Sequence, residues 1–303
     1  MSPKAWSRFC WFLILYTVVI ILWGAFVRFS GSGDGCGKHW PFCHGYIVPR
    51  GEIALQIQTW IEYFHRAKSG LLGLFIFAAG FLAWRQFPRR HPARWAGVAA
   101  VFFTLTEGAL GAWLVLAGLV QQNDSPTRFF AIGLHLTNTL LLMASLVALL
   151  ITTTQNLEFR APRARVGWTL AAGLVLFLIL GATGSVASLS NTLFPTTSLI
   201  EGMRADFSPD SPWMVRARVL HPFLGMAIAA LLAGLAWSAP AGRPWRRRSF
   251  VLLVVTPLFG LATLLSLSPL WMKLGHLLLA HATWFCLVAL ALQDLLEETP
   301  RRT

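Results

Sequence analysis

Charge is what this sequence has least of. Only 12% of its 303 residues are Asp, Glu, Lys or Arg while 56% are hydrophobic, against roughly 25% charged in ordinary soluble domains. That balance excludes a soluble domain and makes lipid the main solvent. Acids are scarcest, 12 against 25 Lys and Arg, for a formal charge of +13. Such an excess would suit a nucleic-acid partner if the cations shared one exposed face. Here they sit in short clusters between apolar runs, which excludes that partner and makes them topology signals.

The apolar runs are long enough to cross a hydrocarbon core about 30 Å thick at 1.5 Å per helical residue. Eight are expected, over Phe9–Val27, Trp60–Trp84, Trp95–Leu119, Phe129–Thr152, Val166–Leu189, Met214–Ser238, Phe250–Ser268 and Trp271–Leu292. The fold class is therefore an all-α membrane protein. The first run has a charged start, but its apolar core exceeds the ~7–15 residues of a signal peptide, so it reads as a retained helix. The N-terminus is short for an organelle transit sequence, and the expectation is a prokaryotic cytoplasmic membrane.

Alternate ends of these spans differ in charge. One side holds 15 of the 25 basic residues, ten of them in the clusters at Arg89-Arg90, 160–165, Arg246-Arg247-Arg248 and Arg301-Arg302, with four of the 12 acids. Cytoplasmic loops retain positive charge, so both termini are placed there and loops 29–59 and 190–213 face outward. An even number of crossings in each half orients spans one to four like spans five to eight, as in a parallel repeat about an axis along the membrane normal. Two four-helix bundles follow, 1–152 and 166–303, joined by a cytoplasmic linker at 153–165.

Odd-numbered spans have no histidine. Five of the eight histidines, His65, His135, His221, His276 and His281, lie within even-numbered spans, and the first in each falls five to seven residues from the outer end. Polar side chains at membrane depth are costly and usually paired or functional. One alone reads as polar glue between helices; four at one depth, two per half, are what six-coordinate haem iron asks of a helix bundle. No Cys/His spacing suits zinc, and no Cys-x-x-Cys-His suits covalent haem attachment. His276 and His281 are separated by about 140° around one helix, so only one can face a given haem. Depth favours His276.

Glu62 lies one turn before His65, on the same helix face, either beside a bound porphyrin or paired with Arg66 or Lys68. Glu107, in mid-span, has no compensating neighbour in sequence and receives no role. Arg28, Arg66, Arg216 and Arg218 cluster at outer span ends, where haem propionates would emerge, and guanidinium groups suit carboxylates; snorkelling to the interface is the competing reading. Cys36 and Cys43 share an external, oxidising loop in which a disulfide is expected, structural or redox-exchanging. Cys10 and Cys286 read as inert buried thiols.

Several segments together resemble the haem A synthase family: Gly31-Ser32-Gly33 leading to the Cys36 to Cys43 loop with Trp40-Pro41, Glu62-x-x-His65-Arg66, Gly181-Ala182-Thr183-Gly184-Ser185, Thr192-Leu193-Phe194-Pro195, Arg218-x-x-His221-Pro222 and His276-Leu277-Leu278-Leu279-Ala280. The resemblance implies oxidation of the C8 methyl of haem O to a formyl group. Two hydroxylations would give a geminal diol that loses water. It further implies substrate haem O between His65 and His135, haem b as cofactor between His221 and His276, Glu62 as the acid–base or charge-stabilising group, and a Cys36–Cys43 disulfide. Asn191 and His281 depart from the family pattern, standing where members often carry Asp. Implied partners are the bilayer, haem O, the haem O synthase and an electron acceptor; a homo-oligomer stays open. The alternatives are a bis-histidine dihaem electron-transfer protein linked to quinol, and a transporter with an intramembrane proton or metal path.

Overall fold

The computed structural model describes residues 1–155, 157–158 and 165–298. Most of the expected linker, with Arg160 and Arg163, lies outside the described residues, as do Arg301 and Arg302.

Among the described residues eight helical spans are long and apolar enough to cross a membrane, and the chain is a multi-pass membrane protein. In chain order the helices are α1 (Pro3–Phe29), α2 (Ile57–Gln86), α3 (Pro92–Leu116), α4 (Pro126–Thr154), α5 (Arg165–Leu193), α6 (Leu199–Phe207), α7 (Trp213–Ala217), α8 (Leu220–Ser238), α9 (Pro244–Leu265) and α10 (Leu270–Leu295). Most outrun the apolar stretches because their polar ends are capped. Ser2 and Ser125 accept from Ala5 N and Arg128 N, each followed by proline at the first helical position, where the missing N–H would have been unpaired anyway.

Two departures from the expected spans matter for the site. The sixth span is broken: α7 and α8 meet at Arg218–Val219. Pro222 causes this, since it offers no N–H to the Arg218 carbonyl and its ring crowds that group. The segment between α5 and α7 contains α6, a short amphipathic helix capped by Ser198, whose Oγ accepts from Glu201 N at 3.2 Å.

Helix α1 packs on α2 and α4, α2 on α3, and α3 on α4; in the second half α5 packs on α8 and α10, α8 on α9, and α9 on α10. Helices α4 and α10 are the most buried and, with α1 and α5, they bring the halves together. Trp284 Nε1 donates to Leu140 O at 2.8 Å across this seam, and Phe177 stacks on Trp284. Near the chain's C-terminal end, Gln293 donates to Gln155 at 2.7 Å, and Leu157–Glu158 pairs antiparallel with Glu297–Glu298. The outer faces are apolar and exposed, including Leu15, Leu74, Phe102 and Trp168, as a lipid-facing surface requires.

Candidate active site

His65, His135, His221 and His276 begin six to nine residues from the first residue of their spans and all line one cavity of ≈ 2210 Å³. A single small-molecule pocket holds ~300–1,000 Å³, so this volume accommodates two large ligands. His281 is not among the lining residues. It is 3% exposed, with Nδ1 2.9 Å from the Leu277 carbonyl.

Three of the imidazoles lie against a glycine of the preceding transmembrane helix. A Cβ added at Gly24 would come within 2.8 Å of the His65 ring, at Gly184 within 2.8 Å of His221, and at Gly260 within 2.6 Å of His276. The bare backbone lets each ring lie close to its neighbour and point past it into the cavity.

The ring centres of His221 and His276 are 6.3 Å apart, with planes at 72°. Two imidazoles on one metal, with bonds of about 2 Å in line and ring nitrogens about 1.1 Å from the ring centre, need a separation of about 6 Å. The pair therefore fits the two axial positions of one haem iron. Thr183 Oγ1 lies 3.3 Å from His221 Nδ1, which leaves Nε2 as the nitrogen that would hold a metal. His65 and His135 line the same cavity. Among the described residues no three His, Cys, Asp or Glu side chains cluster as a zinc site would need.

Glu62 has both oxygens engaged. Arg66 reaches Oε1 at 2.5 Å and the Cys36 N–H donates to Oε2 at 2.8 Å. The Arg66 pairing is thus present, and the carboxylate, 3% exposed, still borders the cavity. Arg66 Nη1 also donates to the carbonyls of His39 and Phe42. The Cys36–Cys43 disulfide is formed, so one network joins that loop to the helix carrying His65. A Cβ at Gly35 would fall 2.4 Å from the Gln58 carbonyl, and only glycine allows the loop this close. Cys10 and Cys286 are free and buried.

The four arginines separate. Arg28 borders the cavity and donates to Ser188 at 2.9 Å, across the two halves. Arg66 is paired as above. Arg218 is 8% exposed and engaged by Asp206 at 2.6 Å and Asn191 at 2.9 Å, fastening α6 over the cavity. The negative charge near position 191 comes from Asp206 instead. Arg216 is exposed and does not line the cavity; two residues apart on a helix means about 200° of rotation.

Two lining residues escaped the sequence reading, and a third received no role there. Arg128 and Lys273 join Arg28 near the meeting of the halves, and among the described residues none of the three has an acidic partner within ion-pair distance. The third is Glu107, whose Oε1 lies 3.5 Å from His135 Nδ1. An acid in mid-span was its only sequence signal.

A family model described as cytochrome oxidase assembly protein, COX15-CtaA, matches residues 7–288. The chain belongs to this family. Relatives named Protoheme IX farnesyltransferase from two strains of Thermus thermophilus are 39% identical over 302 residues, covering 96% of the chain and 49% of each relative. The chain thus spans about half the length of those relatives. A Heme A synthase from Alkalihalophilus pseudofirmus is 40% identical over 101 residues, 33% of each chain. Another from Exiguobacterium sibiricum is 32% identical over 182 residues, 59% of this chain and 58% of the relative. Membership in COX15-CtaA agrees with the family that the motif segments resemble.

Proposed function

We propose that this COX15-CtaA protein is a haem A synthase, an oxidoreductase that converts the C8 methyl of haem O to a formyl group through two hydroxylations and loss of water. The observation that carries the reading is the 6.3 Å separation of His221 and His276 in a cavity that also holds His65 and His135. Relatives named Heme A synthase support the chemistry, and the electron-transfer alternative is not favoured. The contact pattern of α1–α4 and α5–α8–α9–α10, each closing on itself, supports two four-helix bundles as repeats. The charge bias of the loops supports cytoplasmic termini and sites toward the external side.

In this reading His221 and His276 hold a resident haem b, which supplies one-electron redox chemistry when bound, and His65 and His135 hold substrate haem O. Glu62 stands at the cavity wall as a fixed negative charge in its salt bridge with Arg66, which favours the charge-stabilising role over proton transfer. Arg66 both fixes that charge and ties down the disulfide loop, so the loop excludes water from the cavity while the pair is intact. Arg28, Arg128 and Lys273 supply cations for propionates.

The Thermus relatives match this chain over about half of their own length and are named for adding farnesyl to protohaem. That supports delivery of haem O by a farnesyl-adding enzyme. The test is expression in a host that makes haem O, followed by pigment extraction and chromatography. Hydroxylated and formyl haems are expected in the extract, and unchanged haem O alone would sink the reading.

A further inference from the structure

The four imidazoles are not equivalent. Gly24, Gly184 and Gly260 back His65, His221 and His276 from the preceding transmembrane helix. Behind His135 the preceding helix, α3, presents Glu107 instead, with Oε1 at 3.5 Å from Nδ1. That nitrogen is buried and has no other partner.

The carboxylate is held from its far side. Asn138 Nδ2 donates to Oε2 and Thr139 Oγ1 to Oε1, both at 2.5 Å. Asn138 is itself fixed, accepting from Thr106 Oγ1 at 2.7 Å and donating to the Phe103 carbonyl at 2.9 Å. Two helices and three side chains thus aim an acid at one ring nitrogen inside a membrane span. Polar structure at that depth is expensive and points to a use.

We propose that Glu107 is the positioning residue of His135: it anchors Nδ1, turns Nε2 toward the cavity, and gives the N-terminal site a carboxylate-backed imidazole that the C-terminal pair lacks. The inference rests on the haem-binding reading above. Metal-ligating histidines normally give their second nitrogen to such a partner, which orients the ring and strengthens it as a donor. A separation of 3.5 Å exceeds a formed hydrogen bond, and contacts of this kind tighten when a ligand draws the ring into place. Among the described residues the C-terminal pair has a hydroxyl and backbone carbonyls in this role rather than a carboxylate: Thr183 and the Leu180 carbonyl beside His221, and the Thr256 carbonyl beside His276. At His65 the carboxylate one turn away, Glu62, is already paired with Arg66. The N-terminal site is therefore the one whose ferric state is favoured.

The experiment reconstitutes the purified full chain with ferric protoporphyrin IX and follows each site by redox titration and low-temperature EPR. In Glu107→Gln the N-terminal midpoint should rise by at least a tenfold change in the reduction equilibrium, about 59 mV for one electron. Its EPR signal should move as well. The C-terminal haem should hold its wild-type values, and Glu107→Asp should recover part of the shift. Where Glu107→Gln loses both haems, Thr139→Val replaces it, with a smaller shift in the same direction expected. An unmoved N-terminal potential in these variants, alongside loss of that haem in His135→Ala, overturns the inference and leaves the haem reading standing. A wild type that takes up neither ferric protoporphyrin IX nor haem O at the N-terminal pair overturns both.

Discussion

His221 and His276 face each other at 6.3 Å between ring centres, although 54 residues and the whole of α9 separate them in the chain. His221→Ala and His276→Ala should each remove one of two haems, halving the pigment per protein in a pyridine haemochrome assay. His281→Ala should keep both, because its side chain turns away from the cavity. Full pigment in either of the first two variants would contradict the assignment.

The glycine behind His276 makes a sharper test. Gly260→Ala leaves all four histidines in place but puts a methyl group 2.6 Å from the ring. Overpacking costs about 1–3 kcal/mol, a loss of roughly 5- to 150-fold in haem retention at the C-terminal site. Gly234→Ala, which meets open space, should retain haem like wild type. Equal behaviour of the two in a haem-transfer assay to apomyoglobin would refute the steric argument.

The disulfide and Glu62 act on one loop. Cys36→Ser with Cys43→Ser removes the staple and should lower unfolding stability by about 2 kcal/mol. Glu62→Gln weakens the Arg66 pair and should reduce conversion of haem O while both haem spectra persist. The readouts are thermal unfolding in detergent and product chromatography. An active Glu62→Gln variant would remove that residue from the mechanism.

Asp206 compensates Arg218, which is 8% exposed. Asp206→Ala leaves this guanidinium with Asn191 and two carbonyls but no counter-charge. Removing one partner of a buried pair costs about 3–5 kcal/mol, and the remaining partners place this case at the lower end. Proteolysis within α6 should accelerate, and Asp206→Asn should fall between.

Hydropathy alone made the eight spans legible, because a lipid-facing surface demands apolar residues whatever the helix packs against. The helix ends were readable only as far as caps such as Ser2 and Ser125 were weighed. The break before His221 had its signal in Pro222, and α6 had one in Ser198 and Glu201, yet a polar loop invites neither reading. The histidines showed themselves by their cost in lipid. Glu107 stood out in the same way but its use did not, since that depends on α3 packing against α4 and bringing residues 107 and 135 together. Arg28 and Ser188 meet across 160 residues, and no local pattern encodes such a contact. Gly24 and Gly260 looked like ordinary membrane glycines until the rings they back were in view.

The start of α6 should respond to acid. Thr197 donates to Glu201 Oε2 from its hydroxyl at 2.6 Å and its backbone N–H at 2.8 Å, and these donors hold the exposed Glu201 carboxyl below its usual range. A depressed folded-state pKa means that the contact stabilises fully above the unfolded value, about 4.3 for glutamate, and is lost as pH falls through the folded one. The Thr197 amide should therefore be protected from hydrogen exchange at neutral pH and lose protection in that acid window. Glu201→Gln should flatten the dependence, because its amide keeps an acceptor without a charge to titrate. An amide whose protection stays constant down to pH values well below the glutamate range would show that the carboxylate does not hold the start of this helix.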